Sequence, residues 1–274
     1  MAGSGAQNDP YIVDTYAELV TKAALGGYIK IGSNINITDE YPEGDMPPLL
    51  MANCDIDGDG KTVSNWYYTS NDWCIETTDS NDTISKIHDM NISNIYITGT
   101  ATAFCKRAED NNGRAFFENC NIRGKTTVPI TSDSSMTLRF KSCSLKCDLT
   151  DRKPFGQYGG VFDNCYVIFE SGYTANFFSD LLVKTGKDSY FELSLPSLAA
   201  NSRLDAHAKG FDNCVLDVTS NASFNVGGGT SAVSIIHGGH APNATADGTN
   251  VKKVPASEWL DVTVLHDTYG FNAG

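Results

Sequence analysis

Positive charge is scarce in this chain, and so are long apolar runs, proline and helical periodicity. Of 274 residues, 20 are Lys or Arg against 33 Asp or Glu, a formal net charge of −13. Phosphate backbones are held by clustered cations, so this balance excludes nucleic acid as a partner. The acids are spread along the chain and read as a solvated, self-repelling surface. No stretch approaches the roughly 18 apolar residues of a membrane helix, so no membrane insertion is expected. Residues Met1 to Pro10 lack the basic and apolar regions of a secretory leader, so synthesis in a host cytoplasm without a signal peptide is expected.

Paired cysteine motifs are missing too. The chain has eight Cys, but the single close pair, Cys143 and Cys147, has no second pair to complete a zinc site. At least four Cys occupy one slot of a repeat and would point the same way, which favours free, buried thiols over disulfides. The length suits one large domain with a substantial core.

What the chain does have is a recurring phrase: aromatic, polar, Asn or Ser, Cys, any residue, aliphatic. It reads Phe117-Glu118-Asn119-Cys120-Asn121-Ile122, Phe140-Lys141-Ser142-Cys143-Ser144-Leu145, Phe162-Asp163-Asn164-Cys165-Tyr166-Val167 and Phe211-Asp212-Asn213-Cys214-Val215-Leu216. Weaker copies are Leu50-Met51-Ala52-Asn53-Cys54-Asp55-Ile56 and Ile87-His88-Asp89-Met90-Asn91-Ile92. The strong copies begin 23, 22 and 49 residues apart (117 to 140, 140 to 162, 162 to 211), the last being about two periods.

One amphipathic helix is predicted near the start, with Asp14 or Thr15 as cap, a stripe of Tyr16, Leu19, Val20, Ala23 and Ala24, and Gly26-Gly27 as stop. Beyond it the pattern predicts only short strands, separated by turn signals at Asp57-Gly58-Asp59-Gly60, Asn111-Asn112-Gly113 and Gly227-Gly228-Gly229. A period of 20 to 30 residues without helices predicts a β-solenoid, in which each coil buries its apolar face only by stacking on the next. Stacked Asn at a sharp turn would form a ladder along the axis. The chain is expected to divide into a flexible arm (1–13), a capping helix (14–27), a parallel β-helix (28–240) and a loop with a distinct tail (241–274). Pro255 to Leu260 is expected to start a short helix in that tail.

The Asn-Cys phrase and the turn Asp55-Ile56-Asp57-Gly58-Asp59-Gly60-Lys61-Thr62-Val63 resemble right-handed, single-stranded parallel β-helices of the pectate-lyase-like superfamily. The order of helix, Gly-Gly, Ile-x-Ile strand and that turn is similar to bacteriophage tail-spike, fibre and head-decoration members. The resemblance implies an all-β fold and a structural part of a virion. The partners it implies are capsid or tail proteins, further copies of the chain (a trimer among them) and a host surface glycan. Because the fold also hosts lyases and glycoside hydrolases, polysaccharide cleavage is the rival expectation.

Several groups are candidates for chemistry. Asp55, Asp57 and Asp59 match the first half of a calcium loop, but Trp66 stands where the bidentate acid belongs, so a plain turn is favoured. His237-Gly238-Gly239-His240 places two His on a glycine-rich loop without an evident third ligand. Glu118, Asp163 and Asp212 share one outward slot; carboxylates two coils apart approach the roughly 9.5 Å limit for paired-acid hydrolysis. Arg107, Arg114, Arg123, Arg139, Arg152 and Arg203 share no slot beside these acids. Trp66, Tyr67, Tyr68 and Trp73 form the candidate glycan or partner contact, since exposed rings stack on sugar faces. No cofactor or metal is expected, and a complete catalytic set is not apparent.

Overall fold

A computed structural model describes residues 3–42, 46–68, 73–77, 85–97, 103–106, 116–126, 138–149, 160–171, 183–196, 198, 202–204, 210–259 and 261–272. The turn signal at 111–113 and the arginines 107, 114 and 152 lie outside these. Among the described residues the strands form two long sheets of nine and eleven strands and two three-stranded ones. Every strand pairing within them is parallel, which is compatible with a β-solenoid. No helix among the described residues is long and apolar enough to cross a membrane.

The register explains the repeat. Along the nine-stranded sheet, Ile29, Ile56, Ile87, Phe117, Phe140 and Phe162 are successive partners. All six side chains are buried. Phe117, Phe140 and Phe162 stack nearly parallel, with centroids 5.4 and 5.2 Å apart and ring planes within 7° and 8°. The next partner is Gly186, followed by Phe211. The strand Val183–Lys187 therefore belongs to a disguised repeat inside the 49-residue gap, reading Gly186-Lys187-Asp188-Ser189-Tyr190-Phe191. Phe191, one sheet away, fills the missing ring's place and packs edge-on against Phe162 and Phe211 at 5.4 Å each.

The slot after the outward residue is the corner between the two long sheets. Asp89, Asn119, Ser142, Asn164, Asp188 and Asn213 all take left-handed backbone there, φ 48 to 53°. Short polar side chains tolerate this conformation because they bond locally. They also bond coil to coil: Asn119 Nδ2 donates to Asp89 Oδ1 (3.1 Å), Asn164 Nδ2 to Ser142 Oγ (3.3 Å) and Asn213 Nδ2 to Asp188 Oδ1 (2.8 Å). The Cys slot follows, facing inward. All eight cysteines are free and buried. Where the slot holds Ser, its hydroxyl accepts a backbone N–H from the preceding coil, as in Cys165 N to Ser189 Oγ and Cys214 N to Ser234 Oγ, both 2.9 Å.

The weaker copy at 50–56 is not in register with the others. Its Asn53 precedes, and its Cys54 opens, the strand Cys54–Asp57 of the nine-stranded sheet, whereas Asn119-Cys120 follows the corresponding strand. The equivalent corner in that coil is Gly58 to Gly60. There a Cβ on Gly58 would sit 2.6 Å from both Asp89 O and Met90 Cβ.

The helix forms at Tyr16–Leu25, with Thr15 as its cap. Tyr16, Leu19 and Ala23 are buried. The Glu40 carboxylate accepts the first two helical N–H groups, from Tyr16 (2.6 Å) and Ala17 (3.0 Å), which suits the positive end of the helix dipole. Two boundaries differ from expectation. Tyr11–Val13, expected in an arm, is a strand paired with Gly27–Ile31. The stacking also continues past residue 240, through Ala244–Asp247 and Val251–Val254. The final helix is Val262–Tyr269, capped by Asp261, and Pro255 to Trp259 is a turn leading to it. Leu265 and Phe271 pack there on Ile235 and Val254.

Candidate functional site

The outward row of the nine-stranded sheet carries most of the candidate residues. In partner order it reads Lys30, Asp57, His88, Glu118, Lys141, Asp163, Lys187, Asp212. Glu118 and Asp163 are two coils apart, as the spacing predicts. Lys141 stands between them, with its Nζ 2.7 Å from Glu118 Oε1. This contact raises the pKa of Lys141. Asp212 is committed differently: its Oδ1 accepts the backbone N–H of Ser231 (2.8 Å) and Ala232 (3.1 Å). Among the remaining described arginines, Arg203 pairs with Asp247 at 2.6 Å and Arg123 Nε donates to Asn121 at 3.0 Å. Neither contact is to the acids of this row.

At the N-terminal end of the row lies a cleft of about 220 Å³ lined by residues that include Tyr28, Lys30, Asp55, Asp57, Lys86 and His88. Asp55 and Asp57 project outward from one strand, as alternate residues of a strand do. His88 is placed beside both by register. Its Nε2 lies 2.9 Å from Asp55 Oδ1, and its Nδ1 lies 2.6 Å from Asp89 Oδ2 and 4.0 Å from Asp57 Oδ1. The hydrogen bond to Asp55, and then that to Asp89, raises the His88 pKa to about 8 against partial burial. The hydrogen bond from His88 lowers the Asp89 pKa. Asp59, the third acid of the calcium-like phrase, is turned away. It pairs with Lys30 at 3.2 Å and Lys61 at 3.4 Å, which lowers its pKa, with the Lys30 hydrogen bond the largest cause. The sequence signal for this cluster was half present: the acids were visible, but His88 was not connected to them, because the contact spans a whole coil.

The His237 and His240 pair gains a partner that spacing does not reveal. His240 Nδ1 is 2.6 Å from Asp217 Oδ1, on an adjacent strand of the eleven-stranded sheet. His237 ends a strand and is buried, contrary to the loop expectation. Burial, with the His240 charge, lowers its pKa. The three side chains are close enough together to suggest a metal, but the ring geometry opposes it. The imidazoles stack 3.8 Å apart and 23° from parallel, so their in-plane lone pairs do not converge at the roughly 2.0–2.1 Å a bound ion requires. His237 Nδ1 already accepts the His240 backbone N–H at 3.0 Å. With Trp259 packed edge-on against His237 at 4.5 Å, the cluster reads as an anchor for the C-terminal segment.

The aromatic candidates separate by burial. Trp66 is 1% exposed and Tyr68 2%, so neither reaches the surface. Trp66 packs edge-on between Tyr16 and Phe104 and donates to Val63 O at 3.0 Å. Trp73 is half-buried in the strand Trp73–Thr77. Tyr67, at 36% exposure, alternates outward and stacks on Tyr96 (43% exposed) of the next coil, 5.2 Å apart and 13° from parallel. The pair borders an open groove of about 400 Å³ with Thr38, Pro42, Asn65 and Asn94. There a second amide ladder runs, Asn94 to Asn65 (3.0 Å) and Asn65 to Asn36 (2.6 Å). Tyr96 lies one coil beyond the aromatic cluster in sequence, so composition alone did not place it here.

The class the geometry defines is a parallel β-stack compatible with a solenoid, decorated by charge and amide ladders. No protein-family model matches the chain, and no curated protein or solved structure matches it either.

Proposed function

We propose that the chain is a right-handed parallel β-helix of the pectate-lyase-like type, serving as a structural component on the surface of a bacteriophage virion. It is attached to capsid or tail proteins as a decoration, fibre or tail-spike-type part, and it works as a homo-oligomer. The observation that carries the non-catalytic side of this reading is Lys141. A paired-acid hydrolase needs one carboxyl protonated and one free. Between Glu118 and Asp163 the register places the Lys141 cation, paired with Glu118 Oε1 at 2.7 Å, in the gap such a pair leaves for its substrate. The first helix packs on the first strands of the stack, and covering bare strands there opposes end-to-end growth. The virion assignment rests on the repeat phrase and its resemblance. The Tyr67–Tyr96 groove is the surface proposed for a host glycan, because it pairs exposed rings with amides and a hydroxyl.

Quantitative mass spectrometry of purified particles tests this reading. It predicts the chain at fixed stoichiometry, and absence from particles overturns it. The rival reading, polysaccharide cleavage, draws on the Asp217–His240 pair. It predicts turnover of a surface polysaccharide that His240→Ala abolishes.

A further inference from the structure

We propose that Asp57, His88 and Asp89 form a binding site for a divalent transition-metal ion, with Asp55 orienting the imidazole from its far side. The site goes beyond the structural reading above and does not depend on it.

The ligand atoms of the three residues lie within 4.8 Å of one another. His88 Nδ1 lies 2.6 Å from Asp89 Oδ2 and 4.0 Å from Asp57 Oδ1. Ligand atoms on a tetrahedral ion with bonds of about 2.0–2.1 Å stand about 3.3 Å apart. The two observed separations bracket that value, so sub-ångström to ångström side-chain shifts admit an ion in place of the contact between Nδ1 and Asp89 Oδ2. Asp89 is held from behind, whereas Asp57 is held through its Oδ1 and would offer the ion that oxygen's second lone pair or the free Oδ2. Asp89 Oδ1 accepts from Asn119 Nδ2 at 3.1 Å, which turns Oδ2 toward His88. Asp57 Oδ1 accepts the Asp59 backbone N–H at 2.8 Å, which fixes its rotamer.

The far side of the ring supplies the second, independent observation. Metal-bound histidines donate their other N–H to a carboxylate, which sets the tautomer and strengthens the ligand. Asp55 Oδ1 occupies that position, 2.9 Å from Nε2. That oxygen is shut off from solvent, and among the described residues His88 Nε2 is its one polar partner. One nitrogen and two carboxylates suit Zn²⁺, Co²⁺ or Mn²⁺, whereas Ca²⁺ takes an all-oxygen shell. Asp57 lies on one coil and His88-Asp89 on the next, so the ion would pin two coils together at the N-terminal end of the stack.

The test is titration of the full chain with Co²⁺, read by its visible d–d absorption, and with Zn²⁺, read by calorimetry and thermal melting. One equivalent is expected to bind and to raise the Tm. His88→Gln and Asp57→Asn are each expected to abolish the Co²⁺ spectrum, and Asp55→Asn to weaken affinity by 10- to 100-fold. His240→Ala is expected to leave binding unchanged. Circular dichroism of Asp57→Asn keeps loss of fold distinct from loss of binding, since that side chain is at the surface. The proposal is overturned by absence of binding to the folded chain. It is also overturned by a spectrum that survives His88→Gln, or by one that disappears with His240→Ala.

Discussion

The disguised repeat at Gly186 makes a quantitative prediction. In three neighbouring coils the inward slot holds Phe117, Phe140 or Phe162, and the facing slot on the other long sheet holds Ile122, Leu145 or Val167. In the coil of Gly186 the large residue has moved across the core to Phe191. A Cβ on Gly186 would stand 2.9 Å from Phe211 Cδ1 and 3.1 Å from Phe191 Cε2. Gly186→Phe alone therefore overpacks, at about 1–3 kcal/mol or more. Phe191→Leu alone opens a void over Gly186 that rings fixed on their own strands cannot close, at about 1–3 kcal/mol given that full truncation of a buried Phe costs 3–5. The double variant restores the volume pattern of the other coils. It is predicted to be at least about 1 kcal/mol more stable than the sum of the singles, within the usual range for contacting residues. Urea unfolding of the four proteins, compared at a common m-value, measures this. Additive singles, or a double variant worse than additive, would refute the exchange of one ring across the core.

Other expectations follow from single contacts. In the metal-free protein, His88 should titrate near 8 by NMR. Because its folded pKa lies above the unfolded value near 6.5, its stabilisation is fully present below about 6.5 and is lost as pH rises through about 8. The loss is at most about 2 kcal/mol, reduced by solvent screening, and His88→Gln should flatten that part of the stability profile. Burial first of all raises Cys147 and Cys214 to about 12, and contact with Cys120 first of all raises Cys143 to about 12. A thiol reagent at pH 8 should therefore leave these three unmodified in the folded chain and label all eight Cys in denaturant. Asn164→Ala at φ 53° should cost about 1–2 kcal/mol, and Asn164→Gly less, because glycine accepts left-handed backbone without steric cost. Equal losses for the two would place the role of Asn164 in its side-chain bond to Ser142 instead.

The parallel β architecture was legible because a solenoid repeats its chemistry. Phe and Cys recur at their slots because they stack on their own kind over neighbouring coils, and Asn recurs at the corner because the Asp or Ser one coil away accepts its amide. The first helix was legible for a local reason, a cap and a stripe within a dozen residues. What stayed hidden was compensation between slots. Gly186, Asp188 and Ser189 replace all three signature residues at once, and only the register through Phe162 and Phe211 exposes them as a repeat. The 50–56 copy was misleading for the converse reason: Asn53 also takes left-handed backbone, φ 51°, but at a different corner of its coil. Burial of Trp66 and Tyr68 beside exposed Tyr67 follows from strand alternation and from Trp66 packing under the first helix. The Asp55–His88 and Asp217–His240 contacts lay 33 and 23 residues apart (88 − 55, 240 − 217), a spacing set by coil length and not by any local motif.

Every site described here depends on one coil lying in parallel register on the next. Zero-length carbodiimide coupling of the native chain, read by mass spectrometry, measures that register directly. The parallel stack predicts coupling of Lys141 to Glu118 (2.7 Å), Lys125 to Asp148 (3.4 Å) and Lys86 to Asp55 (3.5 Å), each joining side chains one coil apart. Coupling of these lysines instead to carboxylates displaced by several residues from those partners would contradict the stack, and with it the placement of both the charge ladder and the His88 cluster.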